Sequence, residues 1–175
     1  MLLYQPMVGY RYNSDSIFLY DFISSFEPRG RVLDVGAGSG VVGLLVRRDH
    51  PKVELEAVEK QEVFANYARK NAEVNKIPYT LHHTDFLNFE DRSGYSYIIS
   101  NPPFYHDGAE RSQESMIHQA RYNVHLPLEK FVKKVSELLR PHGHFIFCYD
   151  AQQFALLCGA LERVALRVVD VQFVH

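Results

Sequence analysis

Cysteine is scarce in this chain of 175 residues, which contains only Cys148 and Cys158. Both lie in apolar surroundings and lack the spacing of metal-ligand pairs, so the sequence predicts neither a disulfide framework nor a cysteine-bound metal. Such sparing use of cysteine is typical of proteins in the reducing cytosol. We therefore expect a cytoplasmic protein that is not held together by disulfides.

A strong net charge and a long apolar run are also missing. The formal net charge is −2, so a polyanion would have to meet a local basic patch rather than the field of the whole protein. No stretch approaches the roughly 18 apolar residues that span a bilayer, and residues 1–6 lack the features of a signal peptide. Length and composition predict one domain over residues 1–175, with residues 1–29 as an N-terminal cap segment and no membrane contact.

Nine histidines raise the question of a metal site. His82 and His83 are adjacent on a predicted strand and therefore face opposite ways, while His142 and His144 are divided by a predicted turn. No Cys, His and carboxylate cluster has ligand spacing, so we expect no metal.

Strand and helix patterns alternate five times along the chain. Strands are predicted at residues 31–35, 53–59, 79–83, 95–100, 144–149 and 166–174, and helices at 16–23, 41–48, 61–74, 128–139 and 152–164, with a polar loop containing a short helix over 105–126. This alternation predicts a mainly parallel α/β sheet with helices on both faces. Such doubly wound sheets bind ligands at the carboxyl ends of their strands, near the topological switch point.

A glycine-rich turn follows the first predicted strand, where Asp34 precedes Gly36, Gly38 and Gly40. Glycines can leave the backbone bare enough for a ligand to lie on it, although a tight strand-to-helix connection is the alternative interpretation. The spacing differs from the dinucleotide pattern G-x-G-x-x-G. No Gly-Lys-Ser/Thr follows, so a bound triphosphate is not expected.

Acidic residues end the next two predicted strands. Glu59 could accept hydrogen bonds from both ribose hydroxyls of an adenosine, or it could be a solvated carboxylate at a strand end. Asp85 could accept a hydrogen bond from an adenine amino group while Phe86 lies on the ring face. Alternatively, Asp85 caps its own backbone.

The fourth predicted strand ends in Asn101-Pro102-Pro103-Phe104. The two prolines have no N–H and fix φ near −65°, so the corner is stiff; it is either a strand-terminating turn or a site. The corner therefore points the Asn101 amide, a backbone carbonyl and the Phe104 ring in set directions.

Together, Asp34-x-Gly36-x-Gly38-x-Gly40, Glu59, Asp85-Phe86 and Asn101-Pro102-Pro103-Phe104 resemble the motif series of class I S-adenosylmethionine-dependent methyltransferases. The flanking stretches Gln5-Pro6, Gly9–Asp15 and Gln119-Ala120-Arg121 resemble the bacterial tRNA(Val) adenine-N6 methyltransferases, which modify the adenine beside the anticodon. The resemblance implies a Rossmann-like fold, S-adenosyl-L-methionine as the cofactor and tRNA as the partner. It implies cofactor binding by Asp34, Gly36, Gly38, Gly40, Glu59, Asp85, Phe86 and Asn101, catalysis by Asn101, Pro102 and Phe104, and substrate binding by Phe104, Tyr105, Arg111 and Arg121. The two arginines would contact phosphates, or alternatively form structural salt bridges.

Other functions of the same corner are open. Release-factor methyltransferases modify a protein glutamine amide at a similar corner, but they carry an N-terminal helical domain for which the chain before Asp34 has no room. A DNA adenine methyltransferase would need a target-recognition domain, which is not visible. An inactive cofactor- or RNA-binding relative is the non-enzymatic alternative, and the intact Asn101 and Phe104 argue against it.

The resemblance also implies seven strands, whereas the chain ends after the sixth predicted one. We therefore expect a C-terminally truncated chain without the seventh strand. A missing neighbour would leave strand edges unpaired. We accordingly expect Leu166–Val174 either to pair with a neighbouring chain, giving self-association, or to be poorly ordered.

Overall fold

A computed structural model describes residues 1–7, 11–102 and 127–174. Its strands are β1 (Gly30–Val35), β2 (Val53–Glu59), β3 (Thr80–His83), β4 (Tyr95–Ser100) and β5 (Leu139–Phe147); its helices are α1 (Ser14–Ser25), α2 (Val41–Asp49), α3 (Glu62–Val74), α4 (Leu128–Leu138) and α5 (Phe154–Arg163), with 3-10 turns at Phe86–Asn88 and Ala151–Gln153. The strands form one parallel sheet in the order β3-β2-β1-β4-β5. The predicted doubly wound α/β architecture is confirmed.

Helices cover both faces of this sheet because the strands are apolar on both sides. One core cluster joins Val32 and Ile99 to residues of α1, α2 and α3. The second joins Leu33 and Ile98 to the α4 side chains, among them Phe131. Since neighbouring residues of a strand face opposite ways, β1, β2 and β4 each contribute to both clusters.

The topological switch point lies between β1 and β4, since the chain leaves β3 at one edge and returns beside β1. Val35 of β1 pairs with Val58 of β2 on one side and with Ser100 of β4 on the other. Gly36, Glu59 and Asn101 directly follow these three residues. The register therefore brings all three to the same edge of the sheet.

Strand β5 begins earlier than the sequence pattern predicts, because it includes Pro141-His142-Gly143, which was expected to be a turn. Tyr95 pairs with Leu139 and Tyr97 pairs with His144, so the residues between Leu139 and His144 oppose Ser96 alone. His142 has a φ of 62°. The turn residues are accommodated as a bulge in a strand at the edge of the described sheet, where proline is tolerated.

The predicted sixth strand is wrong, because residues 166–174 form neither strand nor helix. Alternating apolar residues favour a strand, but a strand also needs a neighbour to complete its hydrogen bonds. The Phe173 ring instead contacts Phe154 of α5, with 5.9 Å between ring centroids, and Val169 is largely exposed. The sheet of the described residues has neither a sixth nor a seventh strand, and no described contact supports the predicted self-association.

No helix within the described ranges combines the length and the apolar character needed to cross a membrane.

Candidate active site at the switch point

The glycine-rich turn leaves an open backbone surface between β1 and α2. Its fold is fixed by hydrogen bonds from Gly36 N to Val58 O and from Gly40 N to Ala37 O, both 2.8 Å long. Gly36 and Gly38 have φ values of +66° and +56°, a region that favours glycine, and an added Cβ at either would meet no described atom within 4 Å. A ligand could therefore lie directly against the backbone of these two residues.

Gly40 faces the protein rather than this open surface. An added Cβ would lie 3.2 Å from Leu44 Cδ1 and 3.3 Å from Ala68 Cβ. Gly40 therefore permits close packing of α2 and α3. It was predicted to contact a cofactor directly, but here it acts only indirectly, through the shape of the turn.

Asp34 lies buried beneath the turn. Its Oδ2 accepts a hydrogen bond of 3.1 Å from Gly43 N in the first turn of α2. The pKa of Asp34 is raised to about 7, mainly by burial and in part by the negative charge of Glu59, against the opposing effect of the Gly43 hydrogen bond. Asp34 thus fixes the connection from strand to helix. The sequence predicted a cofactor ligand, but the buried carboxylate does not face the open side of the turn.

Glu59 closes the other side of the turn. Its Oε2 accepts from Gly38 N at 2.9 Å and its Oε1 from Gln61 N at 2.8 Å. Burial raises the pKa of Glu59, partly offset by these backbone hydrogen bonds. Since each carboxylate oxygen accepts in two directions, the group keeps capacity for hydroxyl donors of a ribose.

Asp85 caps the 3-10 turn that follows β3, so the capping alternative raised by the sequence is the arrangement observed. Its Oδ1 accepts from Leu87 N at 3.0 Å, and its Oδ2 accepts from Lys60 Nζ at 2.7 Å. The hydrogen bond from Lys60 lowers the pKa of Asp85, which keeps the carboxylate ionised and able to accept further hydrogen bonds.

The prediction that the Phe86 ring lies on the face of an adenine is wrong, because the ring belongs to the core. The residue is 5% exposed, and its ring packs edge-to-face on Phe131 at 5.6 Å between centroids. A ring enclosed in this way cannot lie on the face of an adenine.

Asn101 leaves β4 with its side chain anchored. The preceding Ser100 donates from Oγ to Val35 O at 2.8 Å, which ties the ends of β4 and β1 together. Asn101 Nδ2 donates to Ser16 Oγ on α1 at 3.1 Å, and Ser16 is buried. The hydrogen bond to Ser16 fixes the plane of the amide, and Oδ1 is the atom of that amide that can accept from a donor group.

The rest of the corner is only partly described. Pro102 is the last described residue before residue 127. Pro103, Phe104, Tyr105, Arg111 and Arg121 lie outside the described residues, so the roles assigned to them stay predictions.

Comparison with known proteins identifies the family. The model of the methyltransferase small domain matches residues 14–164, a range that contains every helix and strand from α1 to α5. The chain belongs to the methyltransferase small domain family. The resemblance to methyltransferases found in the sequence motifs is thereby confirmed.

Two curated relatives of this methyltransferase domain carry the same name. The chain is 33% identical over 119 residues to the tRNA1(Val) (adenine(37)-N6)-methyltransferase of Aliivibrio fischeri, covering 67% of this chain and 50% of that protein. It is 34% identical over 129 residues to the protein of that name from Bacteroides thetaiotaomicron, covering 70% of this chain and 52% of that protein. The chain thus spans about half the length of the curated relatives it matches.

A solved structure confirms the Rossmann-like methyltransferase fold. The 16S rRNA N2 G1207 methyltransferase of T. thermophilus, in complex with AdoMet and guanosine, superimposes with a TM-score of 0.65 at 23% identity. The match covers 86% of this chain and 38% of that one.

The sequence did not predict that three residues of the methyltransferase domain support the site: Ser16, Gly43 and Asn71. Asn71 of α3 is fully buried and donates from Nδ2 to Ser39 O in the glycine turn at 2.9 Å. Their common signal is a small or polar residue on an otherwise apolar helix face.

The described His, Cys, Asp and Glu side chains form no group of three that could hold a metal ion.

Proposed function

We propose that this methyltransferase domain transfers a methyl group from S-adenosyl-L-methionine to N6 of an adenine beside the anticodon of a tRNA. The observation that carries the proposal is the Asn101 amide, which Ser16 orients at the strand end beside the open glycine turn. The names of the curated relatives, which act on adenine 37 of tRNA1(Val), support this substrate class.

S-adenosylmethionine fits the residues that are present. The bare backbone at Gly36 and Gly38 offers a surface for it, Glu59 has acceptors for its ribose, and Asp85 has acceptors for its adenine amino group. Asp34 and Gly40 would act indirectly, by holding the turn in shape. When bound, the cofactor supplies a methyl group on a positively charged sulfur, so the chemistry requires no covalent nucleophile from the protein.

The corner after β4 suits an exocyclic adenine amine. This nitrogen is a poor nucleophile because its lone pair is conjugated into the ring. Asn101 Oδ1 and the Pro102 carbonyl would accept hydrogen bonds from its two N–H groups and favour a pyramidal nitrogen. The transfer would then depend mainly on alignment, and the proton left on the amine is released to water.

The remaining substrate contacts are assigned from the sequence. Phe104, with Tyr105, would stack on the target base, which has to swing out of its own stack to reach the corner. Arg111 and Arg121 would contact phosphates of the tRNA.

The decisive assay measures transfer of a tritium-labelled methyl group from S-adenosylmethionine to an unmodified valine tRNA transcript. The same transcript with guanine at position 37, a DNA duplex and a release factor serve as parallel acceptors. We expect label in the transcript with adenine 37 alone. Label confined to the DNA or the protein, or equal label in both transcripts, would exclude the proposed substrate.

Asn101→Ala tests the role of the amide within that assay. We expect transfer to fall by about 100-fold, because a fixed acceptor for the reacting group is lost. Affinity for S-adenosylhomocysteine, measured by calorimetry, should stay close to that of the wild type, whereas Glu59→Ala should weaken it. If transfer survives in Asn101→Ala, the acceptor mechanism is wrong.

We also propose that residues 1–175 form one domain with residues 1–29 as its N-terminal cap, acting on tRNA in the cytoplasm. The hydrogen bonds that hold Leu2 and Tyr4 to α3 support the first part. The free thiols of Cys148 and Cys158 suit a reducing compartment and support the second.

A further inference from the structure

Two asparagines one helical turn apart hold the N-terminal segment, residues 2–4, against α3. Asn75 accepts from Leu2 N at 2.8 Å and donates to Leu2 O at 2.6 Å. Asn71 accepts from Tyr4 N at 2.6 Å and donates to Tyr4 O at 3.0 Å. Positions i and i+4 share a helix face, and their spacing matches that of alternate residues in an extended chain. Each side-chain amide thus pairs with the backbone of the segment as a neighbouring strand would.

Asn71 differs from Asn75 in a further contact. The second N–H of Asn71 Nδ2 donates to Ser39 O in the glycine turn, whereas Asn75 Nδ2 donates to the Asn71 carbonyl of its own helix at 2.7 Å. A primary amide has two donors, and Asn71 divides its pair between the segment and the turn. Asn71 is 0% exposed, so water cannot replace either hydrogen bond.

The turn needs such contacts because its own residues are permissive. Ser39 stands between Gly38 and Gly40, two glycines whose backbones have access to many conformations. Glu59 fixes the N–H of Gly38 from one side, and Asn71 fixes the carbonyl of Ser39 from the other. A binding surface that is held in its final shape before the ligand arrives binds more tightly, since less freedom is lost on binding.

We propose that Asn71 is a positioning residue for the cofactor surface, which it joins to the docked N-terminal segment. The identity of the ligand rests on the proposed function, but the link between segment and turn rests on the hydrogen bonds of Asn71 alone. Loss of the Asn71 amide should therefore loosen residues 36–40 and weaken cofactor binding. Loss of the Asn75 amide should loosen the end of the segment at Leu2 only.

The test compares Asn71→Ala with its matched control Asn75→Ala in the full chain. We expect the dissociation constant for S-adenosylhomocysteine, measured by calorimetry, to rise at least tenfold in Asn71→Ala, which corresponds to about 1.4 kcal/mol. It should remain within about threefold of the wild-type value in Asn75→Ala, or about 0.65 kcal/mol. Equal weakening in both variants, or wild-type affinity in Asn71→Ala, would overturn the proposal.

Hydrogen exchange without any ligand separates this inference from the proposed function. The amides of residues 36–40 should exchange faster in Asn71→Ala and at the wild-type rate in Asn75→Ala; unchanged exchange in Asn71→Ala would overturn the link. If exchange follows this pattern but the wild type does not bind S-adenosylhomocysteine, the proposed cofactor is wrong and the link stands. Should Asn71→Ala fail to fold by circular dichroism, Asn71→Leu takes its place, because it preserves the shape of the buried side chain while losing the hydrogen bonds to Tyr4 and to the turn. The same ranking of variants is expected.

Discussion

Replacing Gly43 with alanine should destabilise the protein, although alanine in a helix is ordinarily more favourable than glycine. Gly43 is the third residue of α2, where the helix passes over the Asp34 carboxylate. An added Cβ would lie 2.7 Å from Asp34 Oδ2 and 3.1 Å from Leu55 Cδ1. Both neighbours are buried, so neither can move away into solvent.

The opposing free energies favour destabilisation. Alanine gains about 1 kcal/mol over glycine in a helix interior. Overpacking a buried site costs about 1–3 kcal/mol, and losing the Gly43 N–H to Asp34 hydrogen bond in a buried place costs about 1–3 kcal/mol more. We therefore expect Gly43→Ala to lower the free energy of unfolding by about 1–5 kcal/mol.

Gly159 provides a matched control in another helix. It lies inside α5, and an added Cβ there would meet no described atom within 4 Å. Gly159→Ala should raise the free energy of unfolding by about 0.5–1 kcal/mol. Urea denaturation followed by circular dichroism measures both variants. A stabilising effect of Gly43→Ala similar to that of Gly159→Ala would refute the close contact between α2 and Asp34.

Two further predictions concern Asp34 and Ser16. Burial raises the pKa of Asp34 to about 7, so between about pH 4 and pH 7 the folded state binds this proton more than the unfolded chain does, and stability falls as the pH rises. Asp34→Asn should reduce the difference in urea midpoint between about pH 5 and about pH 8; an unchanged difference would contradict this assignment. Ser16→Ala should slow methyl transfer by about tenfold or more because the Asn101 amide loses its anchor, with affinity for S-adenosylhomocysteine unchanged. Ser14→Ala, at an exposed position of the same helix, is the control. Equal rates of methyl transfer in the two variants would show that Ser16 does not position the Asn101 amide.

The sequence predicts the sheet and its binding edge because both depend on local patterns. Apolar strands followed by glycine, acid or amide mark the carboxyl ends at Gly36, Glu59 and Asn101, and parallel pairing then brings those ends together. Residues 166–174 show the limit of this reasoning. Their alternation gives a preference for strand, but the fold has to supply a neighbour that local sequence does not specify.

Side-chain roles were harder to predict because they depend on partners far away along the chain. Asn71 lies with apolar residues on the buried face of α3, and its hydrogen bonds to Tyr4 span 67 positions. Ser16 meets Asn101 across 85 positions. The ring of Phe86 could equally have faced the opening or the core, and only its contact with Phe131 decides between them.

These distant contacts place the N-terminal residues on both sides of the switch point. On the side of β2 and α3, Tyr4 and the Ser39 carbonyl share the amide of Asn71. On the side of β4, Ser16 holds the amide of Asn101. Strand ends alone would bring the glycine turn and Asn101 to the same edge, yet they would leave the turn to its flexible glycines and the amide free to rotate. The N-terminal residues supply these two constraints, so in the proposed reaction holding the cofactor and aligning the amine would both depend on residues that precede the first strand.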